Sequence, residues 1–224
     1  MKQVRIAALA ALFTLSGTAS AVTIVEWNLA GTPGSQATTP AASAAAGVSG
    51  ADMARGAGLN ATGAANSFSS SGWTGEATDY YSLGFTVDAG FTVDLDALYI
   101  GTRSSNTGPG QLGLYYSGDA FAAPLATFDQ SPGSNFVNSV VDLSALPVLT
   151  GAVEFRLMQI GSTAANGGST SGSGTFRVTG YFEGGAFDRN TQFTGTVSVI
   201  PEPGNLALML AGLAAVGAIV RRRS

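Results

Sequence analysis

The chain has 224 residues, no cysteine, no histidine and only 11% charged side chains, which excludes disulfides, thiolate or imidazole catalysis and the ordinary zinc site. A 45% hydrophobic share is enough for a folded core despite 31 glycines, so one globular body is the expected class. From Val22 to Ile200, five arginines (Arg55, Arg103, Arg156, Arg177 and Arg189) stand against thirteen acids, a formal charge of −8, and that sign argues against nucleic acid as a partner.

At the N-terminus, Lys2 and Arg5 precede an apolar run from Ile6 to Leu15, and Ala19-Ser20-Ala21 follows with small residues where a signal peptidase reads. This order predicts a secretory signal peptide over 1–21, with Ala19 and Ala21 at the cleavage site and the mature chain starting at Val22. A short buried helix is the plainer alternative. The implied partners are the secretion machinery and signal peptidase.

The body, 22–200, alternates apolar and polar residues with period two, the pattern of strands with one buried face. Val25, Trp27 and Leu29 mark the first strand, and Tyr81, Leu83, Phe85 and Val87 a second. Phe91, Val93 and Leu95 follow the Ala89-Gly90 turn. Leu112, Leu114 and Tyr116, a mixed run from Phe136 to Leu143, and Val153, Phe155 and Leu157 continue the series. Phe176 with Val178, then Phe193, Val197 and Val199, complete it. The expected fold is all-β: an antiparallel sandwich, jelly-roll-like in the leading topology and immunoglobulin-like in the alternative, with the first and last strands on one sheet. Gly31 to Asp79, rich in Ala, Gly, Ser and Thr, reads as a long loop with short structured pieces, anchored across the sandwich by Met53, Leu59, Phe68 and Trp73. Ser162 to Gly174 reads as a mobile hairpin loop between two strands.

Three kinds of site are conceivable in the body. Asp88, Asp94 and Asp96 would form an acidic strand edge able to take calcium through oxygen ligands, although no dedicated loop spacing is present and solvated aspartates are the simpler explanation. Trp73, Tyr80 and Tyr115 are candidate sugar-stacking aromatics; in the Tyr80-Tyr81 and Tyr115-Tyr116 pairs, successive side chains face opposite ways, which exposes the first of each. A glycosidase would need paired carboxylates, and nothing pairs Glu26, Glu76, Glu154 or Glu183; Glu154 and Arg156, two apart on one strand, read instead as a surface ion pair. No catalytic residue and no obligatory cofactor emerges, and the chain is read as a non-enzyme.

The C-terminal end carries the sharpest motif. Pro201-Glu202-Pro203 ends any preceding strand, an apolar run from Leu206 to Val220 follows, and Arg221, Arg222 and Arg223 close the chain. Fifteen helical residues reach about 22 Å, marginal for a hydrocarbon core of about 30 Å. Arginines at the helix C-terminus suit its dipole and favour a cytoplasmic tail. Segment 201–224 resembles the PEP-CTERM family of bacterial sorting signals. That resemblance implies that Pro201, Glu202 and Pro203 are read by an exosortase-type transpeptidase, that Leu206 to Val220 is a transient transmembrane helix, and that Arg221 to Arg223 are its stop-transfer cluster. It further implies removal of the tail and delivery to the cell surface or extracellular polysaccharide matrix of a bacterium with two membranes. The resulting expectation is an exported structural or matrix protein. The alternatives are a carbohydrate- or calcium-binding sandwich at the surface, and a permanently anchored surface protein.

Overall fold

A computed structural model describes residues 21–133, 135–183, 186–200 and 203–223. In chain order the strands are β1 (Val22–Trp27), β2 (Ser43–Ala44), β3 (Val48–Gly50), β4 (Ala54–Arg55), β5 (Asn60–Ala61), β6 (Phe68–Ser71), β7 (Tyr80–Val87) and β8 (Phe91–Ser104). They continue with β9 (Gln111–Tyr116), β10 (Pro124–Asp129), β11 (Val137–Asp142), β12 (Gly151–Gln159), β13 (Phe176–Thr179), β14 (Tyr181–Glu183), β15 (Ala186–Arg189) and β16 (Thr191–Val199). A helix, α1 (Pro203–Arg223), follows.

These strands make two main antiparallel sheets, as the period-two pattern predicts. The larger runs β2-β1-β16-β8-β13-β6-β5, with β11 also on β8; the smaller runs β10-β9-β12-β7-β3, with β4 also on β7, and β14 and β15 form a separate ribbon. The first and last body strands are neighbours, β1 pairing with β16. Tyr81, Leu83, Phe85, Val153, Phe155 and Leu157 of the smaller sheet and Val93, Leu95, Phe176, Val178 and Phe193 of the larger are all buried. Phe193 meets Phe155 and Phe85 across the gap, with ring centroids 4.7 and 6.0 Å apart. The core is thus the space between two inner faces, which is why alternation survives along nearly every strand. In β1 it breaks: Ile24 and Val25 are both buried, because a register shift between Thr23 and Val25 turns both side chains inward.

The long segment 31–79 behaves as expected, with short strands and buried anchors at Met53, Leu59, Phe68 and Trp73. The hairpin expected at Ser162 to Gly174 is corrected. β12 belongs to the smaller sheet and β13 to the larger, so the connection crosses between sheets. It is also tied down, since the amides of Ala165, Asn166 and Ser171 donate to the carbonyls of Gly108, Asn106 and Thr107, and Ala164 is buried.

The expected signal peptide, including Ala19, lies outside the described residues; Ala21, the first described, is exposed immediately before β1. Pro201 and Glu202 also lie outside them. Helix α1 has 21 residues, with Pro203 at its first position, where the missing N–H has no partner to lose. Among the described residues no helix is long and apolar enough to cross a membrane; the expected span, Leu206 to Val220, includes side chains at 206–210 and 215 that are outside them.

Candidate functional site

The outer face of the smaller sheet is built by the alternate side chains of β7, β9 and β12. Register places Arg156 between Tyr115 on β9 and Ser82 on β7, Met158 between Gly113 and Tyr80, and Glu154 opposite Gly84. Arg156 is the centre of this face. Its Nε donates to Glu154 Oε1 at 2.7 Å, so the ion pair expected from the two-residue spacing forms. Its guanidinium carbon lies 4.1 Å from the Tyr80 ring centroid and 4.0 Å from that of Phe121, which stacks the cation between two aromatic faces.

Phe121 reaches that position through an unusual turn. After β9 a single 3₁₀ turn, Ser117–Asp119, ends with Ala120 in the left-handed region, and Ala120 and Phe121 both have φ of 59°. Left-handed backbone is unfavourable for residues with a Cβ, and two in succession are held only by surrounding structure. Here the Ala120 and Phe121 amides donate to the carbonyls of Ser117 and Tyr116, and Asp119 Oδ1 accepts from the Ala122 amide. Ser117 Oγ accepts from the Glu154 amide at 3.0 Å, fastening the turn to β12.

Beside this stack lies an open cleft of about 370 Å³, lined by Asp52, Ser82, Gly84, Thr86, Ser117 and Glu154 among others. Gly84 makes the floor low, because a Cβ there would collide with the Val153 carbonyl oxygen. Gly113 serves Tyr115 similarly: a Cβ would come within 2.7 Å of Tyr115 Cε2, so the absent side chain is what lets the ring lie along the sheet. Among the described residues the two terminal nitrogens of Arg156 make no hydrogen bond, and its side chain retains 25% exposure. The cleft presents three hydroxyls and two carboxylates, and the Arg156 stack, a fixed planar donor with aromatic surface, adjoins it through Glu154.

Two of the three expected sugar-stacking aromatics, Tyr80 and Tyr115, are therefore half-buried on one face with Arg156 between them. Trp73 is a correction. It is 1% exposed, its Nε1 donates to Ser70 O at 3.1 Å, and it packs edge-on against Tyr81 and Phe176 at 5.2 and 5.3 Å. Of its two sequence readings, anchor of segment 31–79 and sugar-stacking aromatic, burial supports the first; no alternation there chooses between them. Tyr81, expected inside, is buried with its hydroxyl donating to Phe176 O at 2.9 Å, and burial pushes its pKa up.

The expected acidic edge is not assembled. Asp88, Asp94 and Asp96 are exposed, Asp88 accepts from Ser49 Oγ at 3.2 Å, and among the described residues no group of three or more acidic side chains is placed to hold a metal ion. Sequence reasoning also missed Phe121 and Asp52. Phe121 stands in a turn that no local rule assigns to a phenylalanine, and Asp52 sits in the loop-rich segment far from β12 along the chain.

No protein-family model matches the chain, and no curated protein matches it. Among solved structures it is similar to a lysine-to-alanine variant of the family 29 carbohydrate binding module CBM29-2, with 11% identity over 80% of this chain and 92% of that one and a TM-score of 0.36. A glutamate-to-arginine variant of a family 29 module gives 11% identity, 79% and 92% coverage and a TM-score of 0.38. Another CBM29-2 variant, complexed with cellulohexaose, gives 12%, 82%, 98% and 0.36. Likenesses this loose carry no argument about what this chain binds.

Proposed function

We propose that this chain is an exported surface or matrix protein that binds neutral polysaccharide on the outer face of its smaller sheet. The observation that carries the reading is Arg156, held between Tyr80 and Phe121 with free terminal donors and bonded to Glu154, which lines the neighbouring cleft. Sugars are recognised by apolar ring faces together with a few well-placed polar groups, and this face has both. Asp52 and Glu154 on the rim disfavour uronate or sulfate and favour ligands that offer hydroxyl donors. A left-handed Phe121, costly by itself, is explained if the turn exists to place that ring. The test is affinity electrophoresis of the purified protein against an array of neutral polysaccharides. At least one is expected to retard it, and Arg156→Ala is expected to weaken that binding about tenfold with the fold retained. Failure of every polymer to retard the protein, or undiminished binding by Arg156→Ala, would reject the site.

For delivery, we infer that α1 is the temporary anchor and sorting tail implied by the PEP-CTERM resemblance. Its 21 residues extend about 31 Å, but the last three are Arg221 to Arg223, so the apolar run Leu206 to Val220 covers only about 22 Å, short of a hydrocarbon core of about 30 Å and suited to a temporary anchor. Its described side chains, 211–214 and 216–222, are all exposed, among them Leu213, Val216, Ile219 and Val220 at 55–60%. Such apolar exposure is unfavourable in water and natural in lipid. The released product is expected to lack Arg221 to Arg223 by intact mass, and to stay membrane-bound at full tail length in cells without the transpeptidase. A released product that retains those arginines contradicts processing.

A further inference from the structure

The larger sheet carries a second feature on its opposite, outward face. Arg103 of β8 and Arg177 of β13 stand directly across from each other in the antiparallel register. Like charges in that position destabilise a sheet. The other three arginines of the body are engaged: Arg55 with backbone carbonyls, Arg156 with Glu154 and Arg189 with Asp188. Among the described residues neither Arg103 nor Arg177 makes an ion pair or a hydrogen bond, and Arg103 Nε is buried with no hydrogen-bond partner. Burial, and then the neighbouring Arg103 charge, hold the Arg177 pKa below its usual range.

The pair sits in a row across the sheet. On one side the Arg103 guanidinium carbon lies 4.9 Å from the Phe136 ring centroid. On the other, Arg177 is opposite Ser69, whose Oγ is 2.8 Å from Thr62 Oγ1. Two half-buried guanidinium groups set across from each other with no counterion among the described residues, in a body of formal charge −8 that has ample acids to neutralise them, break a local rule with no structural gain in sight. Such violations are expected at functional positions. A carboxylate or sulfate would supply the missing charge and accept the planar donors in pairs, while the Phe136 ring, 39% exposed, offers an apolar face to a sugar ring.

We propose that Arg103 and Arg177 form an oxyanion site for an acidic polysaccharide, bound through its uronate or sulfate groups on the face opposite the Arg156 cleft. The site stands apart from the neutral-sugar reading and needs none of its residues. Repulsion by the net negative body is screened beyond about 8 Å at physiological ionic strength, so the local pair governs the contact.

The experiment measures binding of the purified protein to alginate, to dextran sulfate and to uncharged dextran. At least one acidic polymer is expected to bind, its identity telling carboxylate from sulfate, and Arg177→Gln is expected to weaken that binding by at least about tenfold. The same substitution is expected to raise the melting temperature of the unliganded protein, since it relieves the repulsion. The double variant Arg103→Gln/Arg177→Gln should abolish acidic-polymer binding while retaining the neutral-polymer binding of the parent. Arg156→Ala should leave acidic-polymer binding intact, so either site can fail alone. Binding by neither acidic polymer overturns the proposal, as does full binding by Arg177→Gln. A lower melting temperature for Arg177→Gln would also overturn it, because the pair would then be structural.

Discussion

Trp73→Ala is expected to remove about 4 kcal/mol of stability, lowering the melting temperature by roughly 10 °C, and to leave glycan affinity at temperatures where the variant is folded unchanged. The indole is buried between two aromatic neighbours, Tyr81 and Phe176, which themselves stack at 5.8 Å. Truncation therefore opens a cavity whose walls are rigid rings held by strands β7 and β13, so collapse is limited. It also frees the Ser70 carbonyl, to which Nε1 donates. Thermal melts alongside affinity electrophoresis check both halves of the expectation. A variant with unaltered melting temperature and weakened sugar binding would favour the sugar-stacking reading of Trp73 over the anchoring one.

Arg55→Ala is expected to cost about 3 kcal/mol, through a different mechanism. Arg55 lies on β4, opposite Tyr81 of β7, and its guanidinium reaches into segment 31–79. Nη2 donates to the carbonyls of Gly34 and Ser69 at 2.7 and 2.9 Å. Nε donates to Ser70 Oγ at 2.7 Å, and Nη1 to the carbonyls of Gln36 and Ala37. Its carbon atom is 3.7 Å from the Phe68 ring centroid. No carboxylate faces it among the described residues; burial lowers its pKa, and carbonyl dipoles stand in for the counterion. Removing the side chain leaves the Gln36 and Ala37 carbonyls without their donor, while the Gly34 and Ser69 carbonyls keep the amides of Ser69 and Thr62, and it loosens the loop at residues 34–37 from β6. Arg55→Lys is not expected to restore the loss, since an ammonium cannot serve carbonyls spread around a planar fork. Denaturant unfolding gives the magnitude, and hydrogen exchange should show faster exchange at the Ser69 amide, which donates to Gly34 O. An unchanged midpoint in Arg55→Ala would show that the loop is held by its other contacts.

Both residues lie in the stretch that the sequence described least well, and for one reason. Period-two alternation reveals direction only where a strand is long enough to repeat. In β7, Tyr81, Leu83, Phe85 and Val87 announced the buried face, and by the same rule Tyr80 fell on the outer one. In segment 31–79 the strands are two to four residues long, so nothing local decided between the anchoring and the sugar-stacking reading of Trp73, or showed that Arg55 gathers carbonyls from three places. The Glu154–Arg156 pair was legible because both partners share one strand and one face. The stacking of Arg156 on Phe121 was not, because the left-handed turn that presents Phe121 is a product of tertiary hydrogen bonds.

The sequence by itself determined the β-rich class, the approximate strand positions and the charge balance, because each follows from local periodicity or composition. Its motif at the C-terminus set the expectation of a sorting tail. Only the tertiary structure decided which side chains from distant strands share a surface: Tyr80, Tyr115, Phe121 and Arg156 on one face, Arg103 opposite Arg177 on the other, and three aspartates that gather nowhere. Strand order and register make those choices, and they are fixed by long-range packing between sheets that a local pattern does not encode.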